Sequence, residues 1–178
     1  MINITAIILL VLICCGSIYA QHEQQTVKTV EFVDLDRYAG LWYEIAKIPN
    51  RFQKRCASGT TAEYKLIDNG YVQVINRCRE ANGDQASIKG RARVVDSRTN
   101  ARLQVSFVRF FGKNWFWGDY WIIGLDKNYQ WAVVGHPDRT YGWILSRTPE
   151  MAESDLQSCY QILREQGYDP QTFVATKH

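Results

Sequence analysis

From Leu41 onward, apolar and polar residues alternate in short runs separated by turn residues. Runs at 42–46, 60–67, 71–76, 87–95, 102–107, 120–125, 131–135 and 141–146 predict eight strands. The cleanest is 102–107, with Leu103, Val105 and Phe107 on one face and Arg102, Gln104 and Ser106 on the other. Asp68-Asn69-Gly70 and Asn82-Gly83-Asp84 supply tight turns, because Asn and Gly tolerate positive φ. No helical pattern intervenes, so neighbouring strands are expected to pair antiparallel, as a sandwich or a closed barrel.

A helical period comes only late. Thr148 is placed to cap a helix and Pro149 suits its first position. Ala152, Leu156, Cys159, Tyr160 and Leu163 then form one apolar face, and Gly167 is a natural stop. Residues 172–175 predict a short last strand.

The amino end is different. Residues 1–20 carry no charge, and 6–15 are unbroken apolar. That core is about half the roughly 20 residues a membrane-spanning helix needs, which predicts a signal peptide cleaved after Ala20. A lipoprotein signal anchored through Cys14 or Cys15 is the alternative. Residues 21–33 then form an N-terminal extension and 34–178 the folded domain. Export implies an oxidising compartment. Of the cysteines left after cleavage, Cys56 and Cys78 flank a hairpin and are expected to pair. Closing that loop contributes roughly 3 kcal/mol. Cys159 sits on the helical stripe and is expected to be a buried thiol.

Composition removes other classes. The 178 residues are 46% hydrophobic and 22% charged, which excludes disorder. A net charge of +3 gives no strong basic stripe and speaks against nucleic acid. The three histidines, His22, His136 and His178, stand apart, and no Cys-x-x-Cys or His pair offers metal spacing. No cofactor, metal or catalytic residue is expected. The runner-up functions are a lipid-processing or isomerising enzyme and an envelope-associated structural protein.

Three stretches carry a family resemblance. Gly40-Leu41-Trp42-Tyr43-Glu44 precedes the first strand, Ile123-Gly124-Leu125-Asp126-Lys127-Asn128-Tyr129 joins two strands, and Trp143-Ile144-Leu145-Ser146-Arg147 ends the last long one. Together they resemble the three signature regions of the lipocalins, in the bacterial lipocalin and apolipoprotein D branch, over residues 34–173. The resemblance implies an all-β fold: an eight-stranded antiparallel up-and-down β-barrel with one C-terminal α-helix packed outside. It also implies structural roles for Gly40, Trp42, Asp126, Tyr129 and Arg147, with Trp42 across the closed end under the Arg147 guanidinium.

Period two, set by that barrel, turns Ala62, Tyr64, Leu103, Val105, Phe107, Tyr120, Ile122, Ala132, Val134, Tyr141 and Trp143 inward. With Phe52 and Trp117 at the mouth, these are the expected ligand contacts. An apolar wall with a few tyrosine hydroxyls suits an amphipathic molecule, and the resemblance points to a fatty acid or lysophospholipid. Residues 110–117 place five aromatics in eight positions, and Trp115, Phe116 and Trp117 are candidates for membrane contact. Arg51, Lys54, Arg55, Arg109 and Lys113 would form a cationic rim in the lipocalin fold. The expected protein is an exported carrier, monomeric or dimeric, secreted or periplasmic.

Overall fold

The computed structural model describes residues 26–67, 70–111 and 113–178. The leader with Cys14 and Cys15, the Asp68-Asn69 turn and the side chain of Arg109 lie outside the described residues. The chain runs through α1 (Leu35–Tyr38), β1 (Gly40–Lys47), β2 (Cys56–Ile67), β3 (Tyr71–Glu80), β4 (Gln85–Val94), β5 (Arg102–Ser106), β6 (Val108–Phe110), β7 (Lys113–Trp115), β8 (Gly118–Leu125), β9 (Trp131–Gly135), β10 (Gly142–Ser146), α2 (Glu153–Glu165) and β11 (Val174–Ala175). The strand order β10-β9-β8-β5-β4-β3-β2-β1 closes through β10–β1 pairing. All these ladders are antiparallel, so the sheet is an eight-stranded barrel without free edges.

The two faces of the wall carry separate apolar clusters, as period two requires. Trp42, Ala62, Tyr64, Val72, Val74, Ala92, Leu103, Ile122, Ala132, Val134 and Leu145 pack inside. Ile123, Val133 and Ile144 face outward and take Cys159 and Leu163 of α2. Gly124 permits this approach, since a Cβ there would come within 2.9 Å of Ile162.

The helix starts later than its pattern predicts. Thr148 does not cap it: the hydroxyl donates to the Glu150 carbonyl instead (2.6 Å). The first turn opens at Ala152, which has no side-chain cap, and Glu153 and Asp155 supply the negative charge that its dipole favours. The stop is as expected. Gly167 adopts φ +76°, with its N–H on the Arg164 carbonyl and the Tyr168 N–H on that of Leu163.

The stretch expected as a loop is the hairpin β6–β7. The Ser106 hydroxyl, placed between the Val108 and Trp115 carbonyls (3.2 and 2.6 Å), ties its base to the barrel. Cys56 and Cys78 are disulfide-bonded, with Cα atoms 5.5 Å apart. Cys159 is buried, and burial pushes its thiol up to about 12.

The β1–β2 pairing ends at Tyr43↔Thr61, and the carboxyl-terminal tail occupies the gap. Val174 and Ala175 pair with Lys47 and Ala46. The Thr176 N–H donates to the Ile45 carbonyl (2.9 Å), and the Gly59 N–H to that of Lys177 (2.6 Å). His178 Nε2 donates to the Glu44 carbonyl (2.8 Å) and its ring meets that of Tyr43 edge-on.

Candidate ligand-binding site

One end of the barrel is shut by side chains from three parts of the sequence. Trp42 is fully buried and donates through Nε1 to the Tyr38 carbonyl (2.8 Å). The Arg147 guanidinium lies 3.8 Å from the centre of the Trp42 ring. Its nitrogens donate to the carbonyls of Leu41 (2.9 Å), Arg37 (2.6 Å) and Tyr129 (3.2 Å). Asp126 organises the adjoining turn by accepting from the Asn128 and Gln130 N–H groups. Tyr129, at φ +61°, accepts through its hydroxyl from the Asp34 N–H. Gly40 passes beneath Arg147, where a Cβ would sit 3.4 Å from Nη1.

Above this seal, three tyrosines meet. The hydroxyls of Tyr38 and Tyr64 both bond to that of Tyr120 (2.9 and 2.8 Å). Burial raises all three above the ordinary value of 10, Tyr64 to about 12. Because the folded pKa values exceed the unfolded one, this stability is full below pH 10 and is lost as the pH rises beyond it. The thermal midpoint is therefore expected to fall between pH 10 and 12, and Tyr120→Phe, which removes one ionising group, to flatten that fall. An equal fall in the variant would refute the assignment.

The interior is more filled than an open hollow. The void at the closed end measures about 20 Å³, between Leu35, Tyr38, Tyr64, Leu103, Val105 and Tyr120 among others. That is about the room needed for one water. Phe107 lies across the inner wall on Gly90, where a Cβ would fall 2.6 Å from the ring. Ile122, Ala132 and Val134 are packed solid. Toward the other end the wall opens: Ile88, which pairs with inward-facing Asn76, is 49% exposed.

Tyr141 and Trp143 stack beside this opening (centroids 6.1 Å apart), and the exposed Phe52 ring stands 5.7 Å from Tyr141. Trp117 departs from expectation. It lies over the Arg93 guanidinium at 4.3 Å. Arg93 also holds Gln104, on the face opposite Leu103 and Val105, so Trp117 covers the outside of the barrel. The cation captures the indole there.

Sequence reasoning missed a buried carboxylate. Glu44 is 3% exposed, and its oxygens accept from Lys47 Nζ (2.7 Å), the Thr176 hydroxyl (2.7 Å) and Gln53 Nε2 (2.6 Å). Gln53 Oε1 in turn accepts from Trp143 Nε1 (3.2 Å). A bulge between Glu44 and Ala46 makes this possible. It shifts the strand's phase, so Ala46 joins the outer cluster and Lys47 turns back to its carboxylate. The clue was the spacing: Glu44 stands two residues from Trp42, on the inward phase.

Comparison with known proteins agrees with this architecture. Residues 33–178 match the family model described as a lipocalin-like domain. The chain is 37% identical to temperature-induced lipocalin-1 of Arabidopsis thaliana over 150 residues, 83% of this chain and 80% of that protein. It is 39% identical to the outer membrane lipoprotein Blc of Escherichia coli (strain K12) over 149 residues, 83% of this chain and 81% of that one. The structure of insecticyanin from the tobacco hornworm Manduca sexta superposes with a TM-score of 0.69 at 24% identity, covering 85% of this chain and 84% of that one. The chain thus belongs to the lipocalin family, whose members generally bind small hydrophobic ligands.

Proposed function

We propose that this protein is an exported carrier that binds one single-chain amphiphile, a fatty acid or a lysophospholipid, inside its barrel. The observation that carries the reading is the asymmetry of the bore. One end is sealed by Trp42 and Arg147, and the other presents Ile88, Phe107, Tyr141 and Trp143 on an apolar wall. The chain enters past Trp143 and displaces Phe107 toward the mouth, since the void beneath is small. At about 25 cal/mol per Å², a few hundred Å² of buried chain offsets the costs of association and leaves micromolar affinity. The thiols favour a carrier too: Cys56 and Cys78 are bonded to each other, and Cys159 lies under α2, outside the bore. The disulfide and the likeness to Blc support export, with a lipid anchor at Cys14 or Cys15 as its other form.

Displacement of an environment-sensitive fluorescent fatty acid tests this. Unlabelled lipid is expected to compete at micromolar concentration, and Trp143→Ala to weaken binding about tenfold, or ~1.4 kcal/mol. No binding by the wild-type protein would end the proposal.

A second reading concerns the route of loading. Phe111 and Phe116 are 90% and 82% exposed on the β6–β7 hairpin, with Trp115 beside them and Lys113 exposed in the same segment. Such a patch fits an anionic membrane surface. Liposome flotation is expected to carry the wild-type protein upward with phosphatidylglycerol vesicles. The double variant Phe111→Ser, Phe116→Ser should stay at the bottom of the gradient.

A further inference from the structure

The inner wall holds two polar atoms that no described residue completes. Thr60 Oγ1 and Asn76 Oδ1 are buried and have no hydrogen-bond partner among the described residues. Thr60 is 6% exposed and alternates in β2 with the buried Ala62 and Tyr64. Asn76 alternates in β3 with Val72 and Val74 and pairs with Ala62 on one side and Ile88 on the other. Both therefore face the bore, near its open half. Thr60 stands two residues before Ala62, the partner of Asn76, beside the bulge between Ser58 and Thr61, so the two side chains lie on adjoining strands toward the same end of the bore. A buried polar group without a partner costs free energy, so a ligand group that completes these two gains by it.

The charges nearby say what fits. Glu44 stands one residue beyond the last β1–β2 pair, Tyr43↔Thr61, on the same inward phase as Trp42. Its carboxylate is held by Lys47. An anionic ligand carboxylate would face Glu44, and it has no proton to give the Asn76 oxygen. A hydroxyl both donates and accepts. It can give its proton to Asn76 Oδ1 while accepting from the Thr60 hydroxyl. We propose that Thr60 and Asn76 form a hydroxyl-recognition subsite, and that the barrel takes single-chain lipids bearing a free hydroxyl near the acyl ester in preference to fatty acid anions. Any charged part of such a lipid stays outside, near the exposed Arg51 and Lys54.

This rests on the carrier reading and narrows it. The test compares 1-monopalmitoylglycerol with palmitate at pH 8 by displacement of the same fluorescent probe, using the full mature protein. The wild-type protein should bind monopalmitoylglycerol at least tenfold more tightly. Thr60→Val, which keeps the shape and removes the hydroxyl, should weaken monopalmitoylglycerol five- to tenfold and leave palmitate unchanged. The same variant should raise the thermal midpoint of the ligand-free protein, because it removes an unmet polar group. Asn76→Leu should act in the same two directions. Equal affinity for the two lipids, or equal loss for both in Thr60→Val, overturns the subsite while leaving the carrier standing. Failure of both lipids to bind overturns the carrier and the subsite with it.

Discussion

Trp42→Ala is expected to lower the midpoint of thermal unfolding by roughly 6–20 °C. Truncating a fully buried Trp typically costs 3–5 kcal/mol, and each kcal/mol moves the midpoint of a domain this size by about 2–4 °C. Here the loss includes more than volume. The indole donates to the Tyr38 carbonyl, rests on the Tyr38 ring (5.0 Å between centroids) and supports the Arg147 guanidinium. Without it, Arg147 would keep its carbonyl partners at Leu41 and Arg37 but lose its aromatic floor. Arg147→Lys discriminates a specific seal from general core packing. Lysine preserves charge but not the planar fork that reaches several carbonyls, so a drop of about half the Trp42→Ala effect is expected from differential scanning calorimetry. A midpoint unchanged in both variants would show that the seal contributes nothing.

The second large effect is redox-dependent. Cys56 and Cys78 close a loop of sequence separation 22. Opening it by Cys56→Ser, Cys78→Ser is expected to destabilise by about 3 kcal/mol. The bond joins the start of β2 to β3 close to the mouth, where irregular pairing between Cys56 and Thr61 weakens the ladder. Loss should therefore appear first at that end. Hydrogen exchange should accelerate at residues 56–61 and 77–80 while Tyr64 and Val74 stay protected. Uniform acceleration across both strands would contradict this.

How much of this was legible before any coordinates depended on the kind of information each residue carries. Period two in 102–107 marked that strand and its inward phase, because one buried face leaves a direct imprint on the chain, whereas 131–135 and 141–146 are buried on both faces and their phase rested on the family resemblance. The Cys56–Cys78 pair and the Gly167 stop were equally visible. The start of α2 was not, because Thr148 can satisfy either a helix or a turn and its hydroxyl found the Glu150 carbonyl first. Trp117 was assigned to the mouth with the rest of the aromatic stretch 110–117, as the family resemblance implied, and only the fold brings Arg93 under it. The β1 bulge, which turns Lys47 toward Glu44, has no local signature in Glu44-Ile45-Ala46. The degree of filling also escaped the sequence. Tyr38 lies outside every predicted strand, yet with Tyr64 and Tyr120 it fills the lower bore.

The tail from Val174 to His178 has a practical corollary. These residues are planks in the side of the vessel, wedged between β1 and β2 and fastened to Glu44 by Thr176. Trimming the chain before Thr176 would leave a slot in the wall and strip one clamp from the Glu44 carboxylate. Affinity handles for purification are therefore better carried on the amino-terminal side of Val27.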